Sequence, residues 1–468
     1  MNIALNAQKN CGAIKPLHGI TNGPISYGGL YNTTKEYVEM GIPLVRLHDT
    51  DYPLPQAVDV YQIFRDFDAD PDDPASYDFL ITDEYIKAIH ETGAQVIYRL
   101  GTSIEHLPVR RWIAPPKDNM QFARICAGII RHYNEGFANG FHFGLRYWEI
   151  WNEPECGDQP EASNHMWGGT KAQFFALYDV VSGHLKKEFG DRIAVGGYGS
   201  SGFYGLELPE AERQDWQKKW IGFFSDFLAF VKEHHCPLEF FTFHYYGIDT
   251  ERPVLFANYV REKLDAAGFR DCAIILDEWN TWAYDWITEM CGARQVLYMF
   301  CSLENSPVNA ATYYDGQPHM SWCGIFDRLC QKKKPFYAFC IYNKLYRLGT
   351  RIDLCADEPL VGMAATNGKT AGVFVVGNET DRTLTLNGIC AEKVEALLLD
   401  DTHDLTPHPV QKTETGAVCA LPAGAVVYVE FENAAAADHF DPSSGSEACR
   451  APQANAPEQN GEEPFWHD

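Results

Sequence analysis

Along the first 350 residues, short apolar runs alternate with longer stretches in which apolar residues recur at three- and four-residue spacing. The short runs read as strands buried on both faces, the longer stretches as amphipathic helices. Strands fall at 16–20 (PLHGI), 42–49 (IPLVRLHD), 94–101 (AQVIYRLG), 145–154 (LRYWEIWNEP), 192–199 (RIAVGGYG), 238–247 (LEFFTFHYYG), 272–280 (CAIILDEWN) and 309–316 (NAATYYDG). Helices fall at 33–40, 77–93, 119–136, 171–190, 220–234, 254–268, 293–305 and 335–349, several of them stopped by glycine. Each connection is long enough for a parallel crossover. Eight such units predict an α/β fold, a closed (β/α)8 barrel over 16–349. An open doubly wound sheet would carry a glycine-rich fingerprint after its first strand, and HGITNGP (18–24) is a poor one.

From about 350 the pattern changes to short strands at turn-bounded spacing: LVGMAAT, AGVFVVG, RTLTLN, KVEALLLD, GAVCAL and AVVYVEFE. This predicts a C-terminal antiparallel β-sandwich over 350–433. Residues 434–468 are rich in Ala, Pro, Ser and acids and read as a disordered acidic tail. The N-terminal segment 1–15 is a candidate for pairing with the sandwich.

Charge removes some functions. A net charge of −26 leaves no basic patch to neutralise phosphates, so nucleic acid is not an expected partner. The N-terminus lacks a basic segment followed by an apolar core, and no long apolar run marks a membrane span. With 14 cysteines in no paired spacing, the expectation is a cytoplasmic protein with reduced thiols. Nothing in the sequence fixes whether the chain forms a homo-oligomer.

In such a barrel, chemistry sits at the C-terminal ends of the strands. Those ends offer Arg46, His48 and Asp49; Arg99; Asn152 and Glu153; His244 and Tyr246; Asp277, Glu278 and Asn280; then Tyr314, with Trp282 and Trp322 on adjoining loops. Glu153 and Glu278 stand on strands four and seven, on opposite sides of one mouth. Two carboxyls facing across a cleft are the minimal equipment for cleaving a glycosidic bond, one protonated and one ionised. Glu153, with Trp151 behind it, is the expected acid. Arg46 is the expected partner that keeps Glu278 charged, with Tyr246 or His244 as hydrogen-bond donors. Asp277 is expected to be structural, because adjacent strand residues point to opposite faces. HDTD (48–51) is too weak a cluster for a metal site, and two-carboxylate chemistry needs neither metal nor cofactor.

YWEIWNEPE (147–155), FTFHYYG (241–247), ILDEWN (275–280) and GIFD…KKPFYAF (324–339) resemble the clan A retaining glycoside hydrolases, and among them glycoside hydrolase family 39, which holds β-xylosidases and α-L-iduronidases. The resemblance covers roughly residues 16–345. It implies Glu153 as acid/base, Glu278 as nucleophile and Asn152 as the contact to the sugar 2-hydroxyl. It also implies a sugar-binding role for His48. Arg46, Asp49, His244, Tyr246, Trp282, Tyr314 and Trp322 complete the expected substrate-binding set. The family's glycine-histidine-glycine pattern after strand two is here RLHDTD (46–51). The expected activity is a retaining exo-glycosidase, β-xylosidase-like, acting on a small carbohydrate or glycoside. An α-L-arabinofuranosidase, a β-glucosidase or β-galactosidase, a uronic-acid-specific enzyme, a transglycosidase and a non-catalytic sugar-binding barrel remain as alternatives.

Overall fold

Side-chain alternation along eight parallel strands decides what fills the barrel. In the computed structural model, which describes residues 1–26, 31–105, 110–156, 166–281, 289–318, 323–436 and 446–447, β1 (Asn2–Ala13) precedes the barrel. The barrel strands are β2 (Gly19–Thr21), β3 (Leu44–Leu47), β4 (Gln95–Leu100), β5 (Tyr147–Ile150), β6 (Ala194–Ser200), β7 (Phe240–Tyr246), β8 (Ala273–Asn280) and β9 (Ala310–Tyr313). They close in sequence order, with Gly19 of β2 paired to Thr312 of β9. This is the TIM-barrel topology.

Leu44, Ile97, Ala194, Phe240, Ile275 and Ala310, one from each of six strands, form an apolar cluster separate from the main core between strands and helices. They plug the bottom of the barrel. Two residues further along each strand the same face carries Arg46, Arg99, Gly196, Thr242, Asp277 and Thr312, and Glu149 follows Tyr147 on β5. An inward polar layer therefore sits directly on the apolar plug.

The helices are α1 (Thr34–Met40), α2 (Val60–Ile63), α3 (Leu80–Glu91), α4 (Asn119–Glu135), α5 (Lys171–Phe189), α6 (Asp215–Glu233), α7 (Arg252–Ala267), α8 (Met290–Glu304) and α9 (Lys334–Leu348). Their ends follow local chemistry. The Asp118 carboxylate caps α4 by accepting from the Met120 and Gln121 amides, and Gly136 ends it in the left-handed region. α6 starts five residues before its apolar periodicity does, because Gln214 and Gln217 cap each other and the first turn is polar. Among the described residues no helix is long and apolar enough to cross a membrane.

The second unit comprises β10 (Thr350–Ala356), β11 (Val361–Thr366), β12 (Thr370–Val376), β13 (Arg382–Asn387), β14 (Ile389–Cys390), β15 (Lys393–Leu399), β16 (Asp404–His408), β17 (Val410–Lys412), β18 (Gly416–Leu421), β19 (Val426–Glu432), β20 (Ala435–Ala436) and β21 (Ser446–Glu447). Ten of these strands and β1 make one mostly antiparallel sheet, folded over a core that includes Ile3, Leu5, Val373, Leu386 and Val427. β1 lies mid-sheet, antiparallel to β10 and parallel to β13. Within 434–468, β20 pairs with β14 and β21 with β10. The rest of that segment, read from sequence as a disordered tail, lies outside the described residues.

Candidate active site

The polar layer is organised by one guanidinium. Arg46 is fully buried and its three nitrogens reach four partners. Nε lies 2.8 Å from Glu149 Oε2 and 2.7 Å from Asp277 Oδ2, and Nη1 donates to Glu278 Oε2 at 2.8 Å. Nη2 donates to Asn152 Oδ1 at 2.6 Å. The rigid fork of donors suits arginine and no other side chain. It also orients the Asn152 amide. With Oδ1 held by Arg46, the buried Nδ2 has no hydrogen-bond partner among the described residues and is available to a ligand hydroxyl.

Glu278 reaches this layer through a bulge. Leu276 pairs with Phe243, but Glu278 pairs with His244, so Asp277 is the extra residue on β8. Asp277 is the residue that simple alternation turns inward, and the bulge brings Glu278 inward beside it. The expectation that Asp277 faces away from the site is thereby corrected. It is fully buried and lies against Arg46 and His244. Glu278 accepts from Arg46 on Oε2 and from the Tyr246 phenol on Oε1. Burial raises its pKa, opposed by His244 and Arg46 and reinforced by Glu153.

Glu153 sits past the end of β5, where Trp151 (φ 72°) and Glu153 (φ 44°) both adopt left-handed backbone. That conformation costs a non-glycine residue about 1–3 kcal/mol and recurs where function demands it. It also explains why the strand predicted to run to 154 stops at Ile150. Glu153 is 3 % exposed, and its Oε1 lies 2.7 Å from His244 Nδ1. On the other side of that ring, His244 Nε2 lies 3.6 Å from Asp277 Oδ1 and 3.7 Å from Glu278 Oε2. One imidazole thus separates the two glutamates. Burial disfavours its cation, but Glu278, Asp277 and Glu153 outweigh burial and raise its pKa well above the ordinary value. The surrounding carboxyls thus favour the cationic ring, with Nδ1 on Glu153 and Nε2 facing Asp277 and Glu278.

The other predicted residues divide. His48 is buried, with Nε2 3.6 Å from Asp49 Oδ1 and Nδ1 without a partner among the described residues. Asp49 accepts from the Ile104 amide at 2.6 Å, and burial lifts its pKa to about 7 against that hydrogen bond. Tyr314 is buried and meets Tyr246 edge-on, ring centroids 6.3 Å apart. Trp282 and Trp322 lie outside the described residues. Arg99, expected near the mouth, is fully buried and bound to Asp59 at 2.5 Å and Ser103 at 3.1 Å, so its charge is already answered.

Two further carboxyls escaped the reading of strand ends. Glu149 lies inside the barrel, accepting from Arg46 and, at 2.6 Å, from the Thr242 hydroxyl. Glu155 is fully buried behind Glu153 and accepts from Ser200 and Ser201 at 2.8 and 2.7 Å. Burial, then the Glu153 charge, lifts it to about 7. The signal for Glu149 was present in the alternation of YWEIW, where Glu149 stands two residues from Tyr147 on one face.

No family model matches the chain. A β-xylosidase of Geobacillus stearothermophilus is 25% identical over 152 residues, which is 32% of this chain and 25% of that protein. The match therefore spans a quarter of that relative's length. A solved glucosidase from Croceicoccus marinus superposes with a TM-score of 0.73 at 20% identity, covering 92% of this chain and 98% of that one. The family 39 enzyme from Xanthomonas axonopodis pv. citri gives 0.66 at 15% identity over 92% and 97% of the two chains. A family 39 β-xylosidase from Caulobacter crescentus gives 0.63 at 17%, over 92% and 100%. The chain shares their fold and resembles family 39 in its architecture.

Proposed function

We propose that the chain is a retaining glycoside hydrolase that removes a terminal sugar, with Glu278 as nucleophile and Glu153 as acid/base. The observation that carries this reading is the His244 ring, which touches Glu153 on one side and faces Glu278 on the other. It sets two buried carboxyls across one mouth, in unlike environments. Glu278 has a donor on each oxygen, Arg46 and Tyr246, an arrangement that favours the anion. Glu153 has one oxygen on His244, leaving the other to carry a proton to a leaving group.

In this mechanism Glu278 attacks the anomeric carbon while Glu153 protonates the departing oxygen. Glu153 then takes a proton from the water that releases the sugar from Glu278. Asn152 Nδ2 donates to the 2-hydroxyl, a contact that strengthens in the transition state. Double displacement requires the carboxyls about 5–5.5 Å apart. The resemblance to family 39 and the matched β-xylosidase segment favour a β-xyloside as substrate.

Release of nitrophenol from a panel of aryl α- and β-glycosides tests the proposal, with Glu278→Ala beside the wild type. One cleaved sugar, an α- or β-product that keeps the substrate's configuration, and a variant dead by several orders of magnitude are expected. Hydrolysis with inverted configuration, or a Glu278→Ala variant that retains activity, overturns it.

A further inference from the structure

Beneath the nucleophile, two carboxyls compete for one N–H. Glu149 Oε2 and Asp277 Oδ2 lie 2.8 and 2.7 Å from the same Arg46 Nε, which carries a single hydrogen. Glu149 takes it, together with the Thr242 hydroxyl on its other oxygen. Among the described residues neither buried Asp277 oxygen accepts a well-formed hydrogen bond: Oδ2 has only the shared Nε, and Oδ1 faces His244 Nε2 at 3.6 Å. A fully buried carboxylate in that state carries a large desolvation cost. The two carboxyl oxygens crowd one and the same Arg46 nitrogen, an approach that two anions disfavour.

We infer that Glu149 and Asp277 hold one proton between them and act as a single anion under Arg46, a positioning pair that fixes the charge around Glu278. The proton satisfies an Asp277 oxygen and removes the repulsion in one step. It also removes one negative charge from the buried cluster. The groups facing the pair are Arg46 from β3, Thr242 and His244 from β7 and Glu278 from β8. Two cations, Arg46 and His244, then face the shared pair and Glu278 as two anions in place of three. The role of Glu278 as nucleophile rests on the proposed glycosidase reading. The direction of titration agrees. Burial lifts Glu149 to about 8, whereas Asp277, despite burial, is held low by Arg46 and His244. The pair behaves as one acid and one base with a common proton.

The test uses the isosteric amides Glu149→Gln and Asp277→Asn and the double variant in the full chain. Each single amide removes the shared proton's site and leaves one anion, so the charge under Arg46 is unchanged. The acid limb of the kcat/KM profile then stays within about 0.3 pH unit of the wild type. The double variant removes the anion and moves that limb down by about one pH unit or more. A single amide that moves the limb as far as the double variant does shows two anions in the wild type and overturns the inference. Infrared difference spectra at pH 7 decide independently of activity. Glu149→Gln is expected to lose a protonated-carboxyl C=O band and no carboxylate band, whereas loss of a carboxylate band refutes the pair. Should no glycoside be turned over, the hydrolase reading fails and the infrared result still judges the pair. Failure of both single amides to fold counts against it, because each preserves charge and shape.

Discussion

Replacing Tyr246 by Phe removes one atom from the environment of Glu278. The Tyr246 phenol, itself pushed well above its ordinary pKa by burial and then by Glu278, remains protonated and donates to Glu278 Oε1. Arg46 keeps its hold on Oε2. A hydrogen bond to a charged group is worth about 1.5–3 kcal/mol. At about 1.36 kcal/mol per pH unit, its loss raises the Glu278 pKa by roughly 1–2 units. The sign follows from the donor, which stabilises only the ionised carboxylate. The acid limb of kcat/KM against pH therefore moves up by the same amount. Below the new limb the rate falls tenfold per pH unit, and the alkaline limb stays in place. Glu278 already carries a raised pKa in the fold, so its ionisation opposes stability as pH rises, and the variant deepens that penalty at neutral pH. The assay is a full pH profile on the best aryl glycoside, with thermal unfolding at two pH values beside it. A rate loss that is uniform across pH, with the acid limb unmoved, refutes the reasoning. It would mean that the phenol acts on the sugar and not on Glu278.

Glu153→Gln should slow glycosides with poor leaving groups far more than those with activated phenols, because only the former need a proton in the transition state; equal slowing of both in steady-state assays would remove Glu153 from the acid role. Glu155 is held at about 7 by burial, so its protonated form is favoured by the fold. Its contribution is present below its unfolded pKa and is lost as pH rises through 7. Glu155→Gln is expected to raise thermal stability at pH 8, by up to roughly 2–3 kcal/mol, and to change little at pH 4. Equal shifts at both pH values would contradict this. Asp59→Ala leaves the buried Arg99 without its anion, since Asp59 also accepts from the Ser103 amide at 2.8 Å. The cost is about 3–5 kcal/mol in a urea midpoint series, and the double variant with Arg99→Met should recover part of it.

The alternation of apolar runs carried the barrel, and the strand ends carried most of the polar cluster, because both depend on local periodicity. What stayed hidden depends on register. A single bulge between β7 and β8 decides that both Asp277 and Glu278 face inward, and nothing in LDEWN marks where the ladder slips. Glu149 was hidden for a different reason. A carboxylate in the middle of an apolar strand reads as an intrusion until Arg46, over 100 residues away, is seen to answer it. Arg99 shows the converse. It stands at a strand end on the catalytic face, but a loop aspartate had already claimed it. Pairings of this kind are set by tertiary approach, to which periodicity is blind.

The mid-sheet place of β1 also sets a timetable for the growing chain. Ile3 finds its partner at Ala356, and the neighbouring strand on its other side begins at Arg382. At roughly 5–20 residues per second, a ribosome takes about 20–70 s to deliver those partners. The barrel itself cannot close before β9 emerges, and until β10 and β13 follow, β1 remains an unsatisfied strand with Ile3 and Leu5 still in water. The sheet that finishes the molecule can only be assembled around the segment that left the ribosome before the barrel. Shortening the chain by those few residues would therefore open the sheet at its centre and leave two facing edges where one continuous ladder had been.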